Sequence, residues 1–308
     1  MELHPLIFSG SSNLPLAHEI SNLVNIPLGQ IKIENFPDSE ISIQLLESVQ
    51  NRNVYVIQSL FPNINQHLIE LLLIIDALKR ASAKQITIIL PYYGYARQDR
   101  LDKSGVPISA KVVANLLKIS GIHRLITLDL HSEQIEGFFD IPVEHLLSRS
   151  LLIPYCRTHQ FDNPIVIAPD KGGIKIAVNY AKALGFPVGL IEKERINPYQ
   201  VNIQFFVGDV KDRTVILPDD MCSTGSTLIQ AAEACKKLGA KRIVAIVGHG
   251  LFINDAIEKI EKSPIETMIT TNSIIQNSQV TSNKKITVLS VASLFSDIIL
   301  SDLSNHKI

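Results

Sequence analysis

Short apolar runs alternate with longer stretches of helical periodicity along most of this 308-residue chain. Each run is rich in Val and Ile and continuous rather than alternating, which is typical of strands buried in a parallel sheet. The predicted strands are Val54–Gln58, Ile86–Pro91, Leu125–Leu130, Ile165–Ala168, Val188–Ile191, Thr214–Leu217 and Ile243–Val247. Between them, apolar residues recur three and four apart in the predicted helices His67–Ala81, Ser109–Ser120, Lys175–Leu184 and Thr227–Leu238. This alternation predicts an α/β fold.

A weak internal repeat indicates two similar halves. Leu78–Gly94 resembles Cys235–Gly250, since each segment has a helix end, a short turn, a basic residue and an apolar strand in the same order. The alternative explanation for the similarity is convergence, in which two unrelated helix-to-strand connections use the same residue types. We predict two α/β domains, residues 1–146 and 147–291, with the tail 292–308 packing on the first.

The composition excludes several classes of protein. Lys plus Arg (29) nearly balance Asp plus Glu (30), whereas a general binder of nucleic acid or of membrane surfaces needs a basic excess. The mean hydropathy of +0.19 raises the possibility of a membrane protein, but charged residues interrupt the most apolar stretch, Leu68–Leu78. The segment Met1–Pro5 lacks the features of a signal peptide. Three scattered cysteines provide neither a disulfide framework nor a zinc site, so we expect a cytoplasmic protein.

The most informative segment for chemistry follows the predicted strand Thr214–Leu217. Asp219 and Asp220 come after it and can accept hydrogen bonds from vicinal hydroxyls. A hydroxyl- and glycine-rich turn then opens a helix, with backbone N–H groups available to one phosphate; its residues are Ser223, Thr224, Gly225, Ser226 and Thr227. Ligands of open α/β sheets bind beyond the carboxyl ends of strands. The segment therefore predicts a sugar-phosphate site, with a simple helix cap beside solvated aspartates as the alternative.

This segment resembles the ribose-5-phosphate loop of phosphoribosyltransferases and of ribose-phosphate pyrophosphokinases. Further segments are similar to the pyrophosphokinases: Phe36–Ser42, Pro91–Arg100, Leu128–Asp140 and Ala168–Gly173. They follow one another in the family's order. The resemblance implies two phosphoribosyltransferase-type domains, each with a mostly parallel sheet flanked by helices. It also implies transfer of the diphosphoryl group of ATP to the 1-hydroxyl of ribose 5-phosphate, which yields phosphoribosyl pyrophosphate and AMP.

The resemblance assigns ATP to the first domain and ribose 5-phosphate to the second. The implied ATP-binding residues are Phe36, Asp38, Ser39, Glu40, Arg97, Gln98 and Asp99. Phe36 would stack on adenine, although a Phe beside a Pro is more often a core residue. Arg97 would cover the other face of adenine or reach the triphosphate.

The resemblance also supplies catalytic and metal-binding residues. Lys193 is the implied catalytic cation, and Arg195 is implied both in catalysis and in binding ribose 5-phosphate through a two-pronged contact. Without the family context, this segment reads as an exposed charged loop. His131 and Asp170 match the family's Mg²⁺ ligands, although a lone His after a strand is usually an ordinary polar loop residue.

Four positions depart from the commoner family pattern. Ser39 and Ser226 replace glycines, Ser223 replaces an Asp, and Lys171 stands where an apolar residue is usual. These changes resemble a minor branch that includes archaeal-type enzymes, and they leave phosphate activation and ADP inhibition unassigned.

The resemblance implies a homo-oligomer, with a dimer as the minimal unit and a hexamer as the larger assembly. The turn at Pro37–Ser39 would carry Phe36 into the neighbouring subunit's ATP site, with an ordinary intrachain hairpin as the alternative. Two other functions stay open at this point. One is a catalytically silent regulatory relative, and the other is a phosphoribosyltransferase.

Overall fold

The computed structural model describes residues 4–197 and 200–305, with the backbone alone for residues 192–197, 200–205 and 305. No helix in these ranges combines the length and the apolar character that crossing a membrane requires. All three cysteines are buried free thiols.

The chain divides into two compact units. The first comprises the chain up to Leu147, the short segment Ser273–Ile275 and the chain from Ser290 onward. The second comprises Ser148–Asn272 and Gln276–Leu289. Each unit is built around its own β-sheet.

The first unit contains a five-stranded sheet and a separate two-stranded hairpin. Its elements are β1 (Leu6–Ser9), α1 (Leu14–Val24), β2 (Ile31–Asn35), β3 (Ile41–Leu45), β4 (Asn53–Ile57), α2 (Ile64–Arg80), β5 (Gln85–Leu90), α3 (Ser109–Ser120), β6 (Arg124–Leu128), a 3₁₀ helix (Glu133–Phe138) and β7 (Val143–Leu146). The sheet order is β1-β4-β5-β6-β7 and every pair is parallel. Strands β2 and β3 pair antiparallel.

Burial explains why these segments form a sheet covered by helices. All residues of β5 after Gln85 are buried, as a strand covered on both faces requires. Helix α2 buries Leu71, Ile75 and Leu78, which recur at helical spacing on one side. Removing each such side chain from water contributes roughly 1.5–3 kcal/mol to folding.

The second unit contains a seven-stranded sheet. Its elements are α4 (Arg149–Arg157), β8 (Pro164–Ala168), α5 (Ile174–Leu184), β9 (Val188–Asn197), β10 (Gln200–Val207), β11 (Thr214–Cys222), α6 (Ser226–Lys237), β12 (Arg242–Gly250), α7 (Ala256–Lys262), β13 (Thr267–Thr271), α8 (Ser278–Thr281) and β14 (Ile286–Leu289). The order is β10-β9-β8-β11-β12-β13-β14, and only β10 runs antiparallel to its neighbour. The closing helix α9 (Ala292–Asn305) belongs to the first unit.

The predicted strands and helices are confirmed, with shifted ends. Strand β9, predicted to end at Ile191, continues to Asn197, and β11, predicted to end at Leu217, continues to Cys222. Strand β11 continues because β12 pairs with it as far as Gly250. The polar segment 273–285 contains the one-turn helix α8.

The internal repeat corresponds to a repeated helix-to-strand connection. The Ala83 N–H bonds to the Leu78 carbonyl at 3.1 Å after α2, and the Ala240 N–H bonds to the Cys235 carbonyl at 3.0 Å after α6. The residue before each alanine is left-handed, with φ +60° for a serine in the first copy and +92° for Gly239 in the second. Both units therefore use the same turn between a helix and the next buried strand.

Candidate active site

The sheet of the second unit contains a topological switch point between β8 and β11. From β8 the chain passes to β9 on one side, whereas β11 lies on the other side. Open α/β sheets bind ligands outside the carboxyl ends of strands at such a point, because the connecting loops diverge there and leave a crevice. Asp170 lies two residues past the end of β8, and Asp219 and Asp220 lie near the carboxyl end of β11. Three carboxyl groups therefore lie near the carboxyl ends of the two strands that flank the switch point.

The Asp219–Asp220 pair lies inside the strand, not past its end as predicted. The Asp219 carboxylate accepts the backbone N–H of Asp220 at 2.9 Å. Burial raises the pKa of Asp219 well above its usual value, and the nearby carboxyl groups of Asp220 and Asp170 raise it further. The three carboxyl groups thus form an electronegative cluster that favours a cation or a ligand rich in hydrogen-bond donors, such as a sugar with vicinal hydroxyls.

Asp170 is fixed by the turn that follows it. Its Oδ1 accepts the backbone N–H of Gly173 at 3.0 Å. Helix α5 begins at the next residue, Ile174. The half-buried Asp170 side chain is therefore held between a strand end and a helix start.

The predicted phosphate loop opens helix α6. Gly225 occupies the N-cap position in the left-handed region at φ +76°, where a side chain is strained. As a glycine, the N-cap residue supplies no side-chain cap of its own, and the hydroxyls of Thr224 and Ser226 lie 3.1 Å apart. Helix α6 begins at Ser226, one residue before the predicted start. Backbone amides and two hydroxyls are thus grouped at a helix N-terminus, where an anion is stabilised.

The hairpin β2–β3 carries the first group of predicted ATP-binding residues at its tip. The Phe36 N–H bonds to the Glu40 carbonyl at 2.8 Å, and the Ser39 N–H bonds to the Phe36 carbonyl at 2.9 Å. The Asp38 carboxylate accepts the Glu40 N–H at 3.2 Å. Phe36 is 53% exposed, so the core-residue alternative is wrong. A tight turn therefore presents an aromatic ring and two acidic side chains outward.

Ser39 occupies the left-handed region at φ +75°. A left-handed backbone costs a non-glycine residue roughly 1–2 kcal/mol. We expect Ser39→Gly to leave the melting temperature unchanged or to raise it slightly. The same substitution in the extended strand, Ser42→Gly, should lower it, since glycine in a strand interior costs about 0.5–1 kcal/mol. Calorimetry on both variants tests the difference, and equal destabilisation would contradict it.

The second group of predicted ATP-binding residues follows β5. Arg97 is exposed. The backbone carbonyl of Gln98 accepts the Ala110 N–H at 3.2 Å, and its side-chain oxygen accepts the Ser109 hydroxyl. The Asp99 carboxylate accepts the side-chain amide of Gln134 at 2.7 Å. Gln98 and Asp99 are therefore anchored to neighbouring elements, and Arg97 projects from an anchored loop.

Sequence reasoning missed the role of Gln134, which joins the Asp99 loop to the segment that carries His131. The only available signal was its position inside the family-like segment Leu128–Asp140. His131 itself is exposed, three residues after β6.

The predicted catalytic residues Lys193 and Arg195 lie on β9. Their side chains are outside the described part of the chain. In the backbone register, Lys193 pairs with Ile203 and Arg195 with Val201 on β10.

Comparison with known proteins decides the family. A family model described as the N-terminal domain of ribose phosphate pyrophosphokinase matches residues 5–121, and one described as a phosphoribosyl synthetase-associated domain matches residues 196–305. The ribose-phosphate pyrophosphokinase of Helicobacter hepaticus is 42% identical over 98% of this chain and 97% of that protein. The chain belongs to the ribose-phosphate pyrophosphokinase family.

Other relatives agree with this assignment. The Thermotoga maritima ribose-phosphate pyrophosphokinase is 41% identical over 96% of this chain and 93% of that protein. The crystal structure of the Mycobacterium smegmatis phosphoribosylpyrophosphate synthetase superposes with a TM-score of 0.93 at 36% identity, covering 98% of this chain and all of that one. The predicted fold class, the enzyme class and the activity of the family are confirmed.

Ribose-phosphate pyrophosphokinases act on ATP and ribose 5-phosphate, and such kinase-type enzymes generally need a divalent metal. The carboxyl groups at the switch point fit that need, since burial and then the carboxyls of Asp220 and Asp170 raise the pKa of Asp219, and a divalent cation would offset both effects. Among the described residues, no group of three or more His, Cys, Asp or Glu side chains is arranged to hold a metal.

Proposed function

We propose that this chain transfers the diphosphoryl group of ATP to ribose 5-phosphate. The 1-hydroxyl oxygen attacks the β-phosphorus and loses its proton, while the bond between the β-phosphorus and the α–β bridging oxygen breaks and AMP leaves. The observation that carries the proposal is the chain-long family match, together with carboxyl groups and a glycine-capped helix N-terminus at one switch point. Such a transfer depends on positioning and charge neutralisation more than on covalent chemistry.

Ribose 5-phosphate would bind in the second unit. Its phosphate would take the N–H groups and hydroxyls of Ser223, Thr224, Gly225, Ser226 and Thr227. Its 2- and 3-hydroxyls would donate to Asp219 and Asp220, which have the electronegative surroundings that such donors prefer. Arg195 would contact the same substrate and the transferred group.

ATP would bind to the first unit's loops and to the hairpin. Phe36 would stack on adenine, with Arg97 on the opposite face or on the triphosphate, and Asp38, Ser39, Glu40, Gln98 and Asp99 would complete the surroundings. The exposure of the Phe36 ring and of Arg97 supports these roles. Gln98 and Asp99 would act mainly by shaping the loop, because Ser109 and Gln134 already contact them.

Asp170 and His131 would each be a Mg²⁺ ligand. Bound magnesium would neutralise charge on the triphosphate oxygens and make the β-phosphorus more electrophilic. Asp170 is prepared for this role because the Gly173 N–H fixes one of its oxygens. Lys193 would place its ammonium group against the charge that develops on the transferred phosphates.

We further propose that the protein works in the cytoplasm. Its free thiols, all buried, agree with a reducing compartment. The two proposed substrates, ATP and ribose 5-phosphate, are phosphorylated metabolites.

One assay tests the reaction. Incubation with ATP, ribose 5-phosphate and Mg²⁺ should form AMP and phosphoribosyl pyrophosphate in equal amounts. Formation of ADP would indicate ordinary kinase chemistry and contradict the proposal. Formation of neither product would favour the silent regulatory relative. Consumption of phosphoribosyl pyrophosphate with a nucleobase, without ATP, would identify a phosphoribosyltransferase.

We propose a homo-oligomer in which the hairpin of one subunit completes the ATP site of its neighbour, with a dimer as the minimal unit and a hexamer as the larger form. Phe36→Ala and His131→Ala should then each be nearly inactive alone. After reversible dissociation and mixing, hybrids should regain activity, because about a quarter of randomly formed shared sites contain neither lesion. Native mass spectrometry verifies the hybrids. Verified hybrids that stay inactive would show that each site comes from one chain.

A further inference from the structure

The segment between β6 and β7 carries His131 and is held at its start by the side chain of His145. The Leu130 N–H donates to Nε2 of His145 at 2.9 Å. On the other side of the ring, Nδ1 lies 2.7 Å from the Glu136 carboxylate. The His145 ring therefore contacts the segment at two points: at Leu130, directly before His131, and at Glu136, five residues after it.

The two contacts determine the tautomer of His145. Nε2 accepts a backbone N–H, so it carries no proton, and the proton lies on Nδ1 and is donated to Glu136. The ring is well fixed, since its side chain is only 7% exposed and its backbone lies in β7, paired with Thr127 of β6. Glu136 lies at the surface with 41% exposure and orients the ring from outside.

The backbone at this point needs such an acceptor. Parallel pairing of β6 with β7 ends when the Asp129 N–H bonds to the Leu146 carbonyl at 3.0 Å. Asp129 then turns the chain out of the sheet with a left-handed φ of +40°. The next residue, Leu130, is 7% exposed, so its N–H has lost the strand ladder without gaining water. A buried donor left without a partner is costly, and His145 prevents this.

The same segment is also tied to the loop that carries Arg97. Gln134 donates to the Asp99 carboxylate of that loop at 2.7 Å, and Lys111 of α3 donates to the Phe138 carbonyl at the other end of the segment at 2.9 Å. A displacement at Leu130 would therefore move His131 and loosen the contact of the segment with the Arg97 loop.

We propose that His145 is a positioning residue for the ATP and metal side of the site. It holds the Leu130 backbone, thereby setting where the His131 imidazole lies, and Glu136 keeps its ring in the required orientation. This inference rests on the proposed function of His131. It concerns a residue that would touch neither substrate nor metal.

Two variants and one control test this role. His145→Ala removes the acceptor, whereas His145→Gln places an amide oxygen where Nε2 lies. The control is His123→Ala, because Nδ1 of the exposed His123 also accepts a backbone N–H, that of Ile86 at 3.1 Å, but at the amino end of β5.

The first readout is amide hydrogen exchange of the segment 129–138, measured on the full chain without substrate or metal. His145→Ala should exchange roughly tenfold faster at Leu130, because the loss of one buried acceptor favours local opening. His145→Gln should stay within about twofold of the unaltered protein. His123→Ala should leave this segment unchanged and speed exchange at Ile86 instead. Unchanged exchange in His145→Ala would refute the positioning role.

The second readout is steady-state kinetics. His145→Ala should raise the Mg²⁺ concentration for half-maximal activity and the KM for ATP by roughly tenfold, with the KM for ribose 5-phosphate within twofold. His145→Gln should restore both constants. An equal rise in both substrate constants, or no rise, would overturn the inference. Because the exchange measurement needs no substrate, failure of the positioning role is distinguishable from failure of the proposed reaction.

Discussion

Replacing Lys193 by Ala should lower kcat by about 100-fold or more while the affinity for ATP changes little. A cation that meets charge developed only in the transition state contributes to the rate and not to ground-state binding. Lys193 stands on β9, beside β8 and hence close to the switch point in strand order. Pre-steady-state AMP formation and equilibrium ATP binding, measured on the same variant, separate the two effects.

Lys182→Ala is a matched control for this variant. Lys182 is an exposed lysine in the last turn of α5, in the same unit, and its removal should leave kcat unchanged. Parallel losses of ATP affinity and kcat in Lys193→Ala would show that this lysine only binds substrate.

The parallel sheets could be predicted because their strands are continuous apolar runs. Strands such as β5 are buried almost throughout, so local composition alone identifies them. The four-residue edge strands β1 and β7 could not be recognised in this way. β7 in particular has the sequence Val-Glu-His-Leu, and every residue in it is only half-buried. Its existence depends on pairing with β6 and not on its own pattern.

The candidate site shows the same limit. The acids at Asp219 and Asp220 indicated a strand end, and the true end at Cys222 depends on pairing with β12, which no local pattern reveals. The contacts of Gln134 with Asp99 and of His145 with Leu130 join residues 35 and 15 positions apart. The sequence reveals candidate site residues through their chemical type. It does not reveal the residues that position them, such as Gln134 and His145, because their role depends on tertiary contacts.

The Asp219 carboxyl should affect stability and function in opposite directions. Its pKa in the folded protein is raised, first by burial and then by Asp220 and Asp170, so its ionised form is disfavoured by folding. The destabilisation is absent below the ordinary pKa of an Asp, grows as the pH rises towards the folded pKa, and is complete above it. Asp219→Asn removes the charge with little change in shape. We therefore expect its melting temperature to exceed that of the unaltered protein at pH 7–8, by about 2–4 °C per kcal/mol relieved.

This advantage should shrink as the pH is lowered towards 4, because both proteins then carry a neutral group at this position. At the same time, the KM of Asp219→Asn for ribose 5-phosphate should rise at least about tenfold, since the proposed role of Asp219 is to accept hydrogen bonds from sugar hydroxyls, while the KM for ATP should stay within about twofold. Asp209→Asn, at an exposed acid of the same unit, is the control and should change neither property. A melting temperature that falls at pH 7, or a KM for ATP that rises more than that for the sugar phosphate, would contradict this account. If both results are obtained, Asp219 lowers the stability of the fold and also binds substrate. The electronegative surroundings that recognise the sugar would then reduce stability at the switch point.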